Sequence, residues 1–241
     1  MNAPDWLGSL KNWIYDVTDH SATEFWPSPV SGERPFFNYR LEQIKQVERD
    51  AMKIGTSESC DLEVILASVW IHDLFQGQFD GHDHARLASR WAQDNLARTG
   101  FPAYKVSAVA QCVALHHMHS LDIPAKMREA RALWDADHVA RIGPSSCLSY
   151  ILCHTSNDFL EGLPQSTQYP HGSLTLEAFT PSLLRLRPQY YRSDWFYYDA
   201  TRKMAHKRIS AMHAFLNALQ DQVQEDEPAL HEPLQSMHLI S

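Results

Sequence analysis

The sequence predicts an all-α fold, built as a single helical domain. Apolar residues recur at three- and four-residue steps through most of the 241-residue chain, which places them on one face of a helix. No segment of convincing length alternates apolar and polar residues as a half-buried strand would. Neither a linker nor an internal repeat interrupts the pattern, so we expect one domain over residues 1–241 with its core at about 36–220.

Several of the predicted helices begin or end at recognisable signals. Asp61 is a suitable N-cap, Gly100 followed by Pro102 is a typical C-terminal stop, and Gly143 ends a later helix. Residues 161–181 are rich in turn formers and predict a long loop, and residues 224–241 predict a frayed tail. The predicted helices span approximately Leu41–Ile54, Asp61–His72, Leu87–Leu96, Ala103–His117, Ala125–Ile142, Cys147–Leu160 and Trp195–Gln222.

Composition argues against several classes of protein. The net charge of −8 disfavours a nonspecific binder of nucleic acid or of anionic membranes. No apolar run approaches the roughly 18 residues that span a bilayer, and the N-terminal residues do not resemble an export signal. The cysteines lack CxxC spacing, so we expect reduced thiols in a cytoplasmic protein. The expected partner is a small-molecule substrate, and the sequence does not indicate an oligomeric state.

The clearest chemical signal is the His72-Asp73 pair at the end of an apolar helix. His72 follows Ile65 by seven residues and Asp73 follows Val69 by four, so both side chains lean toward the buried side. Two strongly hydrated side chains in that position are costly unless they are paired. A buried hydrogen-bonded pair or a metal site would satisfy them, and a metal site needs further ligands.

Further candidate ligands lie on later helices. Asp137 shares a helical face with Leu133, whereas Asp135 is rotated away from that face. His117 follows Val113 by four residues, which places it on an inward stripe and makes it a candidate catalytic residue or ligand. Three more histidines are interpreted as surface groups or as neighbours of the site: His82, His84 and His116. Imidazoles combined with carboxylates suit Mn, Fe, Zn or Ni rather than calcium.

These segments resemble the bacterial HD-domain phosphohydrolases, over about residues 36–220. Residues 37–44 are similar to the family segment that ends in its first metal-binding histidine, residues 61–73 to the His-Asp helix, and residues 133–138 to the segment with the last aspartate. The resemblance implies an HD-domain helical bundle that hydrolyses a nucleotide or a small phosphate ester. It also implies a divalent metal ion, one rather than two, on residues His72, Asp73 and Asp137.

The departures from the family pattern affect the expected chemistry. Gln43 stands where the first metal-binding histidine belongs, and an amide oxygen is a poorer donor than imidazole; it is interpreted either as a weak ligand or as a hydrogen-bonding neighbour of one. Basic residues usual after the His-Asp pair are absent, and His138 follows the last aspartate. We therefore expect a modest rate on a small or singly phosphorylated substrate, with Asp73 accepting a proton from water and His117 protonating the leaving oxygen.

Two alternatives stay open at this point. Tyr39 and Glu42 also resemble the Tyr-x-x-Glu element of the HD-fold diiron oxygenases, an alignment that puts Arg49 at the first histidine position. The chain could thus be an oxygenase or a lyase on the same scaffold. It could also be a non-catalytic binding protein with a decayed site. A count of bound metal ions distinguishes the three, since two favour an oxygenase, one favours hydrolysis and none favours a binder.

Overall fold

The computed structural model describes residues 5–25, 39–75, 83–117, 122–146, 148 and 195–226. These residues are mainly helical and include no strand, which confirms the predicted all-α class. Short 3-10 turns at Leu96–Thr99 and Ala103–Lys105 join two of the helices. The described helices are α1 (Asp5–Phe25), α2 (Tyr39–Ser57), α3 (Leu62–Ile71), α4 (His84–Asn95), α5 (Val106–Leu115), α6 (Arg128–Ala140) and α7 (Asp199–Asp226).

Helix α3 lies at the centre of the bundle, packed against α1, α2, α5 and α6. It begins at the predicted N-cap, where the Asp61 carboxylate accepts hydrogen bonds from the backbone N–H groups of Glu63 and Val64. From Val64 onward nearly every side chain is buried, because the helix carries apolar residues on all of its faces. The end of α3 therefore delivers the next two residues, His72 and Asp73, into the interior.

Helix α6 supplies the other wall of that interior. Every residue from Ala132 to Ala140 is buried, including three that are polar or ionisable. The helix packs against α2, α3, α5 and α7, so no side of it faces water over this stretch. Gly143, with φ of +105°, follows α6 and confirms the predicted stop.

The structure differs from the sequence prediction at both ends of the described chain. Helix α1 was not predicted, although its buried residues Trp6, Leu10 and Ile14 follow helical spacing. Helix α7 starts four residues later than predicted and continues to Asp226, so the first residues of the predicted tail are helical. The predicted helix 147–160, apart from Leu148, lies outside the described residues, as do the loop 161–181 and the rest of the tail. None of the described helices is long and apolar enough to cross a membrane.

Candidate metal centre

The end of α3 and the middle of α6 bring together His72, Asp73 and Asp137. All three side chains are buried, and each offers a ligand atom within 4.8 Å of the others. His72 Nε2 lies 3.5 Å from Asp73 Oδ2 and 3.7 Å from Asp137 Oδ1. We call these three residues the His/Asp cluster.

The hydrogen bonding of His72 shows which ring nitrogen faces the cluster without a proton. Nδ1 lies 2.7 Å from the carbonyl oxygen of Val69, and because a carbonyl only accepts, Nδ1 must carry the hydrogen. In the neutral ring Nε2 then presents a lone pair toward carboxylate oxygens, which also only accept. Neither His72 Nε2 nor Asp73 Oδ1 makes a hydrogen bond among the described residues. A cation shared by these atoms would satisfy them, so the donor set fits a divalent metal ion.

Two arginines hold the carboxylates of the cluster ionised. Arg40 lies 2.5 Å from Asp73 Oδ2, and Arg141 lies 2.5 Å from Asp137 Oδ2. Burial acts to raise the pKa of both aspartates, but the nearby charges outweigh it and hold each pKa well below its usual range. Burial likewise acts to lower the pKa of His72, yet the two carboxylates raise it overall. Both carboxylates of the cluster are therefore ionised, and a cation bound there would compete with a proton for His72 Nε2.

A second group of ligands adjoins the cluster and consists of His84, His116 and His117, whose ligand atoms also lie within 4.8 Å of one another. His116 Nε2 is 3.3 Å and His84 Nε2 is 3.6 Å from Asp73 Oδ1. His84 and His116 are buried rather than on the surface, while His82 lies outside the described residues. We call these three residues the histidine group.

The histidine that lies against Asp73 is His116 and not His117. Helix α5 ends at Leu115, so the helical spacing that pointed to His117 no longer applies beyond it. His116 Nδ1 instead turns back to the carbonyl oxygen of Val113, at 2.6 Å. His117 is half-buried, and its ring lies 4.6 Å from that of His84.

Solved structures of HD superfamily proteins share this helical arrangement. A predicted HD superfamily hydrolase from an uncultured Thermotogales bacterium is 17% identical over 88% of this chain and 91% of its own, with a TM-score of 0.55. Bacillus subtilis YpgQ, solved in complex with ADP, is 19% identical over 93% and 96%, with a TM-score of 0.55. An HD-superfamily hydrolase from Bacillus thuringiensis is 16% identical over 92% and 100%, with a TM-score of 0.50. The chain has an HD-domain fold. No protein-family model matches it, and comparison with the curated proteins yields no significant match.

Within the HD-domain fold, Gln43 lies at the edge of the cluster. Its amide nitrogen donates to Asp137 Oδ1 at 3.3 Å, and its amide oxygen accepts from Arg40 at 3.1 Å. The same guanidinium also reaches Asp73. Gln43 thus links the two carboxylates of the cluster through hydrogen bonds, and its role as a direct ligand stays a prediction.

Two other residues of α6 are buried but serve different purposes. Asp135 faces away from the cluster, as expected, and accepts hydrogen bonds from the backbone N–H groups of Tyr197 and Tyr198 at 2.9 and 3.0 Å. His138 stacks on Trp134, with ring centroids 3.8 Å apart. Burial lowers the pKa of His138 to about 4, so this ring is neutral at pH 7 and is a poor phosphate contact.

Proposed function

We propose that the protein is a metal-dependent hydrolase that acts on a nucleotide or a small phosphate ester. The observation that carries this proposal is the convergence of His72, Asp73 and Asp137 in a buried, anionic cluster with unsatisfied ligand atoms. The HD-domain fold supports it, since structures with that fold are called hydrolases. The ADP complex of YpgQ supports a small-molecule ligand. The two described cysteines are free thiols, which is consistent with the proposed cytoplasmic location.

The metal ion would be held by His72, Asp73 and Asp137, with Gln43 bordering them. When bound, such an ion polarises a phosphoryl oxygen and lowers the pKa of a bound water toward neutrality. In hydrolysis, water adds to phosphorus, the P–O bond to the leaving group breaks, and the leaving oxygen takes a proton.

Different side chains would accept the proton from water and supply the proton to the leaving oxygen. Asp73, ionised at the cluster, would orient the attacking water and accept its proton. His117, half-buried beside His84, would protonate the leaving oxygen. His116 contacts Asp73 instead and would fix its orientation.

A second candidate function, an oxygenase with two metal ions, is favoured by the histidine group. His84 and His116 approach the Asp73 oxygen that does not face Arg40, so Asp73 could serve both groups of ligands. The family resemblance predicts one metal ion rather than two, and the histidine group makes two a competing outcome. Metal content therefore discriminates between the two functions.

A substrate panel tests the proposed reaction. Purified protein is loaded with Mn²⁺ and assayed for release of phosphate or pyrophosphate from nucleotides and small phosphate esters. We expect hydrolysis of at least one substrate, and a loss of about two decades or more in rate for Asp137→Asn, which removes a charged ligand. The exposed Asp94→Asn serves as the matched control and should keep full activity. If protein shown to hold metal released no phosphate or pyrophosphate from any substrate, the result would contradict hydrolysis. Oxygen consumption by that protein would support an oxygenase.

A further inference from the structure

A cavity of about 670 Å³ adjoins the His/Asp cluster, between α2, α7 and the segment that follows α6. Its volume falls within the roughly 300–1,000 Å³ that small-molecule sites occupy. Gln43 and Arg141 line the cavity, and each also hydrogen-bonds to Asp137. The cavity is therefore one side chain away from a carboxylate of the cluster. We call it the basic cavity because of its lining.

The lining is strongly cationic, although the protein as a whole carries a net charge of −8. Glu42 is an acidic residue of the described lining, and Lys45 already pairs with it at 2.7 Å. This concentration of positive charge would attract an anionic ligand to a protein that otherwise repels one. The cationic residues of the lining are Arg49, Lys53, Arg141, Lys207 and Arg208.

These cations divide into two sets. Arg141 and Arg208 are tied to buried carboxylates, Asp137 and Asp50 respectively. The other three are exposed and form no ion pair with a described carboxylate, although one of them, Arg49, donates to Gln46 Oε1 at 2.7 Å: Arg49, Lys53 and Lys207. Among the described residues, three cations without an anionic partner are thus presented to one cavity.

Helices fix the backbone positions of these residues. Arg49 and Lys53 are four residues apart and share one face of α2, while Lys207 belongs to α7. Arg208 ties α7 to the other walls, because it donates to the carbonyl oxygen of Val139 and to Asp50, at 2.7 Å in each case. Gly143, in its left-handed conformation, lets the chain pass close to Arg208.

We propose that the basic cavity binds the phosphate groups of a substrate that carries two or more of them, and directs one end of the phosphate chain to the His/Asp cluster. Phosphate recognition depends on charge-assisted hydrogen bonds from arginine and lysine. Three cations that form no ion pair among the described residues match a diphosphate or triphosphate better than a single phosphate. This inference rests on the proposed function and revises its expected substrate, since the sequence suggested that phosphate contacts were missing. Those contacts come instead from α2 and α7.

Calorimetric titration of the full chain with inorganic pyrophosphate and with orthophosphate tests the cavity. The test protein is the double variant Lys53→Gln/Lys207→Gln, and its matched control is Lys126→Gln/Lys203→Gln, which changes exposed lysines outside the lining. We expect the unmodified protein to bind pyrophosphate about tenfold more tightly than orthophosphate. The cavity variant should lose about tenfold in pyrophosphate affinity and the control less than about twofold. Equal affinities in the cavity variant and the unmodified protein, or no binding of pyrophosphate, would overturn the inference.

The hydrolysis assay separates this inference from the proposed function. Loss of pyrophosphate affinity in the cavity variant, together with no cleavage of any ester, supports the cavity and overturns the hydrolase. If the unmodified protein and the cavity variant cleave diphosphate substrates at the same rate and bind pyrophosphate equally well, the proposed role of the basic cavity is wrong. The proposed hydrolase function is then unaffected. Circular dichroism spectra that match those of the unmodified protein show that the variants are folded.

Discussion

Asp135 and Asp137 lie two residues apart on α6, and both are buried, yet they belong to different parts of the molecule. Asp137 faces α2 and α3 and contacts His72, Gln43 and, from the end of its own helix, Arg141. Asp135 faces the opposite way and accepts two backbone N–H groups just before α7 begins. The same side chain thus contributes to a candidate metal centre on one face of the helix and to helix attachment on the other.

The difference shows how the surroundings of a carboxylate determine its chemistry. Cations hold the pKa of Asp137 well below its usual range despite burial. Burial instead dominates at Asp135 and raises its pKa to about 6, although hydrogen bonds from Tyr197 and Tyr198 act in the other direction. Asp137 is therefore a permanent anion suited to a cation, whereas Asp135 is an acceptor for backbone groups.

Removal of the Asp135 carboxyl should have the largest effect on stability. In Asp135→Ala the N–H groups of Tyr197 and Tyr198 lose their acceptor, and each orphaned group costs roughly 1–3 kcal/mol. We expect the free energy of unfolding to fall by about 4 kcal/mol in urea denaturation, and Asp135→Asn, which keeps one acceptor oxygen, to fall by less. The exposed Asp94→Ala is the control. A loss below about 0.5 kcal/mol for Asp135→Ala would show that these hydrogen bonds do not attach α7.

The pH dependence of stability should sharpen the contrast. Because the pKa of Asp135 rises from 3.8 to about 6 on folding, its contribution is fully present below pH 3.8 and is lost as the pH rises through 6. Asparagine does not titrate, so the unfolding free energy of the unmodified protein relative to Asp135→Asn should fall by about 2 kcal/mol between pH 4 and pH 8. The nearby Arg202 charge opposes the shift. A difference that is independent of pH would contradict the raised pKa.

The sequence predicted the elements that carry strong local signals. Asp61 and Gly143 sit where capping chemistry places them, and the apolar spacing of α2, α3, α5 and α6 placed those helices. Helix α1 is not among the predicted helices, although its buried residues Trp6 and Leu10 show the same spacing.

The candidate site was predictable only in part. Helical phase is sufficient to bring His72, Asp73 and Asp137 to one interior, but it fails at His116, because the chain leaves the helix there and bonds back to Val113. It also could not reveal that Asp135 is buried, since that depends on α7 packing across α6. The basic cavity could not be predicted either, because its cations lie on helices that are far apart in the sequence and meet only through tertiary packing.

Restoration of the family histidine should have a smaller effect. In Gln43→His an imidazole replaces the amide that contacts Asp137, and a stronger donor beside the cluster should tighten Mn²⁺ binding by about tenfold in calorimetric titration. Gln43→Leu is the matched control and should not tighten it. An affinity for Gln43→His that is unchanged or weaker would place residue 43 outside the set of ligands.

Metal binding by paired variants of α6 tests most directly whether the His/Asp cluster is a metal centre. Unmodified protein, Asp137→Asn and Asp135→Asn are each freed of metal with a chelator, dialysed against Mn²⁺ and analysed for bound metal, with circular dichroism to confirm folding. We predict that the unmodified protein and Asp135→Asn retain metal at the same stoichiometry, while Asp137→Asn, which loses a charged ligand of the cluster, retains little or none. Full occupancy in Asp137→Asn would contradict the assignment of the cluster as a metal centre.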